Sequence, residues 1–258
     1  MILLQPSALA YIPKRVISLV PSQTELLHHL GLYNETVAIT KFCVHPPEWF
    51  KTKIQVGGTK NLDIKRIKEL QPDLVIANKE ENTKEQVEEL AKDVAVWVTD
   101  VNNFNDALSM IDNIGLLTGR ISQAQQLIKS IKNEFTSIHQ PGQQVKTAYL
   151  IWRKPYMTVG GDTFIGDMLE QCGLQNIFSG LLRYPQVTVE QLQASGCQLL
   201  LLSSEPYPFK EKHIAELQQH LPGTKIIIAD GEMFSWYGSR MLYMPQYLNR
   251  LLKNIKTC

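Results

Sequence analysis

The feature that most constrains the fold of this chain is the alternation of short, apolar, β-branched runs with longer segments of helical spacing. Seven runs are predicted as strands, at residues 15–20, 37–41, 73–77, 94–98, 146–152, 199–203 and 225–229. The predicted helices between them include residues 22–30, 63–70, 83–92 and 105–118. Because parallel strands need a crossover connection, usually a helix, this alternation predicts an α/β fold with parallel sheets.

Composition narrows the class of protein further. The 26 basic and 25 acidic side chains give a net charge of +1 without charged runs. Binding to nucleic acid or to an anionic membrane surface would need a strong basic bias. No apolar run approaches the roughly 20 residues that span a bilayer. We therefore expect a soluble globular protein with no nucleic-acid partner and no membrane span.

The four cysteines lie far apart in the sequence, at Cys43, Cys172, Cys197 and Cys258. A zinc site built from cysteines needs close pairs, so none is predicted. Nothing in the spacing indicates a disulfide, although the sequence leaves that possibility open.

One long helix is predicted in the middle of the chain. Its apolar residues follow a 3-4-3-4-3 spacing: Ile121, Ala124, Ile128, Ile131, Phe135 and Ile138. Gly119 precedes this pattern and Pro141 follows it, as expected at helix ends. We interpret residues 121–139 as a strut between two α/β lobes; the alternative is a surface helix packed on one lobe. The predicted domains are residues 1–119, the backbone helix 120–141, and residues 142–258.

A weak internal repeat supports two lobes. Residues 67–78 align with residues 192–203, and each segment reads as a helix end, a tight turn and a buried strand. In this register Glu80 and Glu205 lie at matching places just past the strands. Ligands of open α/β sheets bind beyond the carboxyl ends of the strands. Two such lobes are therefore expected to form a ligand cleft.

The first residues resemble a shortened signal peptide. The apolar stretch Ile2-Leu3-Leu4 has three residues, and no lysine or arginine precedes it. The chain as written is therefore expected in the cytoplasm, and in the periplasm if the true start lies upstream.

Two segments have the pattern of a helix start after a strand. Ser22-Gln-Thr-Glu25 reads as a capping box, with Ser22 capping the helix and Glu25 reaching back. The plain interpretation is a helix start and nothing more. Because helix N-termini attract anions and carbonyl groups, a role in facing the ligand is the second interpretation. Gly160-Gly161-Asp162-Thr163 repeats the pattern but lacks the Gly-Lys-Ser/Thr ending of a phosphate-binding loop, and Gly57-Gly58-Thr59-Lys60 lacks the spacing of such a loop. Nucleotide binding is therefore not predicted.

His45 lies in the segment Lys41-Phe-Cys-Val-His-Pro-Pro47, after the second predicted strand. The two prolines prevent a regular strand, so a loop presents the imidazole. Neutral imidazole is a good ligand for iron or cobalt in a macrocycle, and the alternative is a purely structural histidine. Cys43 could join it only around a bare metal ion.

Aromatic side chains are frequent at predicted loop positions in the second half: Trp152, Tyr156, Tyr184, Tyr207, Phe209, Phe234, Trp236 and Tyr237. Aromatic faces beside arginine suit a large, flat, partly apolar ligand with carboxylate or amide edges. No serine–histidine–aspartate order, paired-carboxylate motif or redox cysteine pair is evident. The sequence therefore predicts a binding protein and no enzyme.

These segments resemble a known family: the substrate-binding proteins of ABC importers for cobalamin, haem and ferric siderophores. The resemblance covers about residues 15–252 and is closest to the cobalamin-binding branch. It is carried by residues 15–26, Pro46-Pro47, residues 70–77, residues 169–178 and residues 184–188. It implies two Rossmann-like α/β lobes with parallel-rich sheets, joined by one long α-helix.

The sequence departs from that branch at two kinds of position. Where similar cobalamin carriers have cleft tryptophans, this chain has Thr59, Asn78 and Tyr184. Importer-coupled members also carry a surface glutamate on each lobe that pairs with arginines of the permease. Glu190 fits that role in the second lobe. In the first lobe the matching residue is Lys65, with Asp63 nearby, and this reversal of charge would weaken docking.

We therefore predict a monomeric binding protein that holds a corrinoid or related metal chelate as its ligand, without a catalytic cofactor. The predicted ligand contacts are Phe42, His45, Thr59, Lys60, Trp152, Tyr184, Glu205, Trp236, Tyr237 and Arg240. Aromatic rings would stack on the macrocycle, Lys60 and Arg240 would meet its polar edge, and His45 is a candidate axial ligand of the metal. Asp63 and Glu190 are the predicted docking residues for an ABC permease. The alternatives are a siderophore or haem binder, and a cytosolic enzyme or chaperone of corrinoid metabolism.

Overall fold

The computed structural model describes the backbone of residues 1–256 and the side chains as far as Lys253. Cys258 lies outside the described residues. The chain forms two compact units. The first unit contains Met1–Val101, Asn105–Lys132 and Trp236–Leu242. The second unit contains Asn102–Phe104, Asn133–Ser235 and the chain from Tyr243 onwards.

The first unit is built on a parallel sheet. Its strands are β1 (Ile2–Leu3), β2 (Val16–Ser18), β3 (Thr36–Ile39), β4 (Ile54–Gln55), β5 (Gly57–Gly58), β6 (Asn61–Leu62), β7 (Leu74–Asn78) and β8 (Val96–Thr99). Six of them form one parallel sheet in the order β1-β8-β7-β2-β3-β4, and β5 and β6 form a separate antiparallel pair. β1 is formed by residues that resemble part of a signal peptide in the sequence, and it pairs with β8 through Ile2↔Val96 and Leu3↔Trp97.

Helices cover this sheet and connect its strands. They are α1 (Pro21–His29), α2 (Pro47–Thr52), α3 (Ile64–Glu69), α4 (Lys84–Ala91), α5 (Phe104–Thr118) and α6 (Ile121–Phe135). Two short 3₁₀ helices are Pro6–Ala8 and Ser239–Leu242. Every residue of β7 is buried, which is typical of a parallel strand with both faces covered. Ile17, Val75 and Val96 from three adjacent strands share one core with Ile67 of α3 and Leu90 of α4.

The second unit repeats this plan with four parallel strands: β9 (Val145–Leu150), β10 (Leu174–Asn176), β11 (Leu199–Ser203) and β12 (Lys225–Ala229). Their order is β10-β9-β11-β12. Its helices are α7 (Phe164–Gln171), α8 (Val189–Ala194), α9 (Glu211–His220), α10 (Glu232–Ser235) and α11 (Met244–Lys256). The first unit contains the same arrangement as β3-β2-β7-β8. The predicted α/β fold with parallel sheets is confirmed.

The long helix is shorter than its apolar pattern predicts. α6 ends at Phe135 rather than at residue 139. The hydroxyl groups of Thr136 and Ser137 donate hydrogen bonds to the carbonyl oxygens of Asn133 (2.7 Å) and Glu134 (2.6 Å). Short polar side chains that bond the nearby backbone compete with helix continuation. The boundary between the two units falls in the last turn of α6, between Lys132 and Asn133.

The prediction that Ser22 caps α1 is wrong. Val20 occupies the N-cap position, and Pro21 begins the helix. Proline suits the first helical position because its missing N–H would have no partner there. Ser22 is therefore one residue inside the helix, where it is buried. Within the described residues, no helix combines the length and apolar character needed to cross a membrane.

Candidate functional site

In each unit, the candidate site lies where the connections from two neighbouring strands run in opposite directions. In the first unit the chain leaves β2 towards β3 and leaves β7 towards β8. In the second unit it leaves β9 towards β10 and β11 towards β12. Open α/β sheets bind ligands beyond the carboxyl ends of such strands. The loops that follow β2, β7, β9 and β11 are therefore the candidate ligand-binding loops.

A buried polar network follows β7 and β8 in the first unit. The Gln23 amide donates to the Thr99 hydroxyl (2.6 Å), and the Asn78 amide donates to the Thr99 carbonyl oxygen (3.0 Å). Asn78 also accepts from the backbone N–H groups of Glu80 (2.8 Å) and Glu81 (3.1 Å). Asn78 is only 2% exposed. Its side chain shapes the loop after β7 from within.

The loop after β3 and the β5–β6 hairpin pack on each other. The Phe42 ring lies against Gly58, where an added Cβ would be 3.0 Å from the Phe42 ring carbon Cε2. The neighbouring Thr59 is buried, and Lys60 bonds the carbonyl oxygen of Glu80. Phe42 itself remains 52% exposed. Three of the predicted ligand contacts (Phe42, Thr59 and Lys60) are thus brought together.

His45 and Trp236 meet in the first unit, although they are far apart in the sequence. Their ring centroids are 5.5 Å apart at an interplanar angle of 76°, an edge-to-face contact. The Trp236 indole lies 4.7 Å from the Arg240 guanidinium carbon. Arg240 in turn donates two hydrogen bonds to the Glu25 carboxylate, from Nε (3.0 Å) and Nη2 (2.9 Å). Glu25 thus pairs with Arg240 instead of completing a capping box.

Tyr237 lies between Trp236 and Gly238 and is only 8% exposed. Gly238 has φ of +106°, a conformation that other residues rarely adopt. A Cβ at this glycine would be 3.4 Å from the Cβ of Leu26 in α1. The segment 236–242 therefore lies directly along α1.

In the second unit, Trp152 belongs to a cluster of aromatic rings. It meets Tyr207 edge-to-face at 5.7 Å, and Tyr207 meets Phe209 at 4.8 Å. His213 lies on the other side, with its Nε2 3.4 Å from the Tyr207 hydroxyl and its Nδ1 accepting from the Lys210 N–H (2.9 Å). Trp152 is 41% exposed. The cluster therefore contacts an indole that remains partly exposed to solvent.

Tyr184 is positioned by a glycine pair. The N–H of Gly160 donates to the Arg183 carbonyl oxygen (2.7 Å), and that of Gly161 donates to the Leu181 carbonyl oxygen (3.1 Å). A Cβ at either glycine would come within 2.4 Å of a backbone oxygen. The glycines therefore permit a close backbone approach that holds the loop of Tyr184, and Thr163 caps α7.

Glu205 lines an open depression of about 610 Å³ after β11 and β12. The depression is lined by Ser204, Glu205, Ile228, Asp230, Glu232 and Tyr247. Ser235 donates to a Glu205 carboxylate oxygen (2.9 Å). With three carboxylates, this surface favours donor or cationic groups of a ligand.

Burial shifts the pKa of two groups near β3 and β7. It raises the pKa of Glu81, and the nearby Lys60 opposes this effect. It also raises the pKa of the Cys43 thiol, whose sulfur lies 3.0 Å from the Thr24 hydroxyl oxygen. Within the described part of the chain, no group of three or more histidine, cysteine, aspartate or glutamate side chains could hold a metal ion. Cys43 is fully buried, and it does not extend the His45 site.

The predicted docking residues occupy equivalent helices. Asp63 caps α3 by accepting from the Arg66 N–H (3.0 Å), and Thr188 caps α8 in the same way. Lys65 and Glu190 are each the second residue of their helix and are exposed. Hydrogen bonding by Thr188 lowers the pKa of Glu190, so this carboxylate is ionised at neutral pH. The two surfaces therefore carry opposite charges at the same position.

Comparison with known proteins places the chain in a family. The sequence model of the periplasmic binding protein family matches residues 16–225, so the chain belongs to that family. The vitamin B12-binding protein of Pectobacterium carotovorum subsp. carotovorum (strain PC1) is 26% identical over 244 residues, which cover 92% of this chain and 87% of that protein.

Solved structures share the fold at lower identity. The periplasmic vitamin B12-binding protein BtuF of Vibrio cholerae is 19% identical with a TM-score of 0.75, over 95% of this chain and 99% of that one. The periplasmic haem-binding protein RhuT from Roseiflexus sp. RS-1, in its apo form, is 19% identical with a TM-score of 0.79, over 94% and 97%. At such identities the likeness establishes the two-lobed fold and leaves the ligand open.

Two structural roles were not predicted from the sequence. Glu25 pairs with a residue 215 positions away, which no local pattern can reveal. His213 supports Tyr207, and it also accepts from the Lys210 N–H at the start of α9. A histidine at the third position of a helix was the only available hint of the second contact, because side chains there can bond back to the N-cap.

Proposed function

We propose that this protein binds a corrinoid or a related metal chelate without chemical turnover, as the substrate-binding component of an ABC importer or as a cytosolic relative of one. The observation that carries this proposal is the 26% identity to a vitamin B12-binding protein along 244 residues. Family membership supports a binding role, and the family is named for periplasmic binding proteins.

The contacts in the first unit suit a flat ligand with a metal at its centre. We define the first-unit face as Phe42, His45, Thr59, Lys60 and Trp236. It combines aromatic rings, an ammonium group and an imidazole from the loop after β3, the β5–β6 hairpin and the segment after α10. Because the protein supplies only His45 as a metal ligand here, the remaining ligands would come from the macrocycle.

The contacts in the second unit suit the edges of a ligand of this kind. We define the second-unit face as Trp152, Tyr184 and Glu205. The partly exposed Trp152 side chain would stack on the ligand, and Glu205 offers an acceptor for amide N–H groups. Arg240 is bonded to Glu25, so it acts from beneath the first-unit face. Tyr237, like Trp236 and Thr59, keeps only a small exposed fraction (7–8%) for contact with the ligand.

Haem or a ferric siderophore is the second candidate. Thr59 and Asn78 favour it, because they stand where cobalamin carriers that resemble this chain have tryptophans. Asn78 is buried and hydrogen bonded, so it offers no stacking surface. Relatives with the same fold include a haem-binding protein.

Titration with cobinamide, cobalamin and haemin tests the proposal. We expect saturable quenching of tryptophan fluorescence with a corrinoid and weaker binding of haemin. Tighter binding of haemin would replace the first candidate by the second, and no binding of any of the three would reject both. Conversion of a bound corrinoid to a new product would favour an enzyme of corrinoid metabolism.

The His45 variant separates metal coordination from contact at the periphery. If the imidazole coordinates the metal, His45→Ala will change the visible spectrum of the bound ligand. If it bonds the periphery, only the affinity will change. An unchanged spectrum together with an unchanged affinity would remove His45 from the site.

We also propose that Glu190 contributes to docking on an ABC permease, with Asp63 as the acidic group of the other surface. Lys65 places a positive charge at the position equivalent to Glu190. A lysine that faces arginines of a permease would weaken docking, because like charges repel each other across an interface. Lys65→Glu should therefore strengthen ligand-dependent stimulation of the importer's ATPase activity, whereas Glu190→Lys should weaken it. Equal stimulation by both variants would contradict this docking arrangement.

A further inference from the structure

Four side chains in the first unit form a continuous series of contacts from α1 to the first-unit face. The Glu25 carboxylate accepts two hydrogen bonds from Arg240, at 3.0 and 2.9 Å. The Arg240 guanidinium lies under the Trp236 indole at 4.7 Å. The Trp236 indole also meets the His45 ring edge-to-face, with the two ring centroids 5.5 Å apart.

We propose that Glu25 and Arg240 are a positioning pair that sets the orientation of Trp236 and His45. This inference rests on the proposed function, because it assigns the pair a role at the first-unit face. Neither residue needs to touch the ligand. Their effect is transmitted through the indole and the imidazole.

The geometry of the pair favours orientation over stability as its role. A bidentate arginine–carboxylate contact fixes the guanidinium plane, because the planar fork matches the two carboxylate oxygens. The Trp236 ring packs 4.7 Å from that guanidinium carbon, so its orientation depends on the position of Arg240. A buried ion pair contributes little net stability, because the desolvation of both charges offsets their attraction. The side chains of Arg240 and Glu25 are only 10% and 19% exposed.

The backbone gives the pair a rigid base. Glu25 lies in the second turn of α1, whose neighbouring residue Leu26 packs under Gly238. Trp236 and Arg240 flank this glycine at the start and in the middle of the segment 236–242. A rigid helix on one side and a close backbone contact on the other limit the freedom of both side chains.

The first test uses the protein without ligand. Proton NMR of the His45 imidazole reports the ring current of Trp236, and the resonance is assigned by its loss in His45→Asn. In Glu25→Gln and Arg240→Lys we expect this resonance to move towards the position of an exposed histidine. Arg240→Lys keeps the charge but loses the planar fork, so it tests geometry in particular.

A matched control pair exists in the same unit. Arg120 donates to Glu35 at 2.8 Å, and the Glu35 side chain is 19% exposed, as is that of Glu25. Glu35 precedes β3 and so lies at the amino end of the sheet, away from the first-unit face. Glu35→Gln should leave the His45 resonance unchanged.

The second test measures affinity for dicyanocobinamide. Glu25→Gln and Arg240→Lys should each weaken binding about tenfold, as for loss of one desolvated cation–π contact. The double variant should be no weaker than the weaker single variant, because both changes remove one coupled unit. Glu35→Gln should bind as the unchanged protein does.

The outcomes separate this inference from the proposed function. If Trp236→Ala weakens binding while Glu25→Gln and Arg240→Lys change neither the resonance nor the affinity, the positioning pair is wrong and the function stands. If the unchanged protein binds no corrinoid and no haemin, the proposed function fails, and the NMR result alone decides whether the pair orients His45 and Trp236. An unmoved resonance in both variants would overturn the inference in either case.

Discussion

Trp236 and Trp97 are equally buried at 7% exposure, yet their surroundings differ. Trp97 lies in β8, within the sheet. Trp236 follows α10 and packs between an arginine and a histidine. Trp97 is therefore a core residue of the sheet, whereas Trp236 belongs to the group of residues defined as the first-unit face.

Trp236→Ala should weaken corrinoid binding by about 1–3 kcal/mol, by analogy with loss of a stacked aromatic ring, which is about 5- to 150-fold. Tryptophan quenching and absorbance titration measure it. Trp97→Ala is the control: a core tryptophan lost to a cavity should reduce the free energy of unfolding by about 3–5 kcal/mol, with affinity retained while the protein stays folded. Equal affinity in Trp236→Ala and the unchanged protein would place the ligand elsewhere.

His213 should make stability depend on pH. Burial lowers its pKa, and the nearby Arg153 and Lys212 lower it further, against the opposing effect of Glu216. Below about pH 6.5 the unfolded chain then binds more protons than the folded chain, so the free energy of unfolding falls with acidification. Protonation would also place a proton on Nδ1, which accepts from the Lys210 N–H.

His213→Asn tests this dependence, because its side-chain oxygen can still accept from the Lys210 N–H but does not titrate. The urea midpoint should fall less between pH 7.5 and 5.5 in this variant than in the unchanged protein. His139→Asn, at an exposed position, is the control. The prediction is wrong if both variants show the pH dependence of the unchanged protein.

At the scale of elements, the internal repeat extends to details of backbone geometry. Asp73 and Gln198 occupy equivalent positions, and each side chain accepts from the backbone N–H that begins a neighbouring segment, Arg15 (2.9 Å) and Lys146 (2.9 Å). The turn before each strand contains a residue with positive φ, Gln71 at 46° and Gly196 at 67°. The two halves therefore form the same turn, with a positive φ at the same position, from different residues.

Exchanging the residues at this turn should shift stability in opposite directions. A left-handed conformation costs a residue with a Cβ about 1–2 kcal/mol. Gln71→Gly should therefore be neutral or raise the free energy of unfolding by up to about 1 kcal/mol, since glycine's unfolded-state entropy offsets part of the gain. Gly196→Gln should lower it by about 1 kcal/mol. Urea unfolding measures both, and a stabilising Gly196→Gln would contradict the assignment of strain.

The contact between α5 and α6 depends on a glycine. A Cβ at Gly115 would be 2.5 Å from the Cβ of Ala124, so the two helices would have to separate. Gly115→Ala should lower the free energy of unfolding by about 1–3 kcal/mol through overpacking. Gly142→Ala is the matched control, because nothing lies within 4 Å of the added methyl group. Similar stability of the two variants would show that α5 and α6 tolerate the extra methyl group.

At the scale of the whole molecule, the ligand should stabilise both units. The proposed contacts come from the first-unit face and from the second-unit face. A ligand at 100 times its dissociation constant raises the free energy of unfolding by about 2.7 kcal/mol. Each unit that supplies contacts to the ligand should therefore be stabilised by it.

Hydrogen exchange of backbone amides in the unchanged protein measures this shift separately in the two units. The amides of β7 report the first unit, and those of β11 report the second. Cobinamide should slow exchange in both strands. Slower exchange in β7 alone would restrict binding to the first unit and remove Trp152, Tyr184 and Glu205 from the proposed contacts.

The sequence by itself determined the class of fold and seven of the twelve described strands, and it missed the short strands β1, β4, β5, β6 and β10. Continuous apolar runs such as β7 and β11 can only be buried in a sheet covered on both faces, so their alternation with helices required parallel sheets. Local signals were enough for this, because hydrophobic periodicity depends on near neighbours. Local signals were weaker at helix ends. α6 ends at Phe135, because the hydroxyl groups of Thr136 and Ser137 bond carbonyl oxygens of its last turn.

Only the tertiary structure decided which side chains work together. Glu25 looked like half of a capping box, and Arg240 looked like a ligand contact, but they bind each other across 215 residues. Likewise, residues 236–242 follow the second half of the chain yet pack with the first unit along α1. Contacts between residues distant in sequence follow from how the folded elements pack, and no local pattern of residue types encodes that packing.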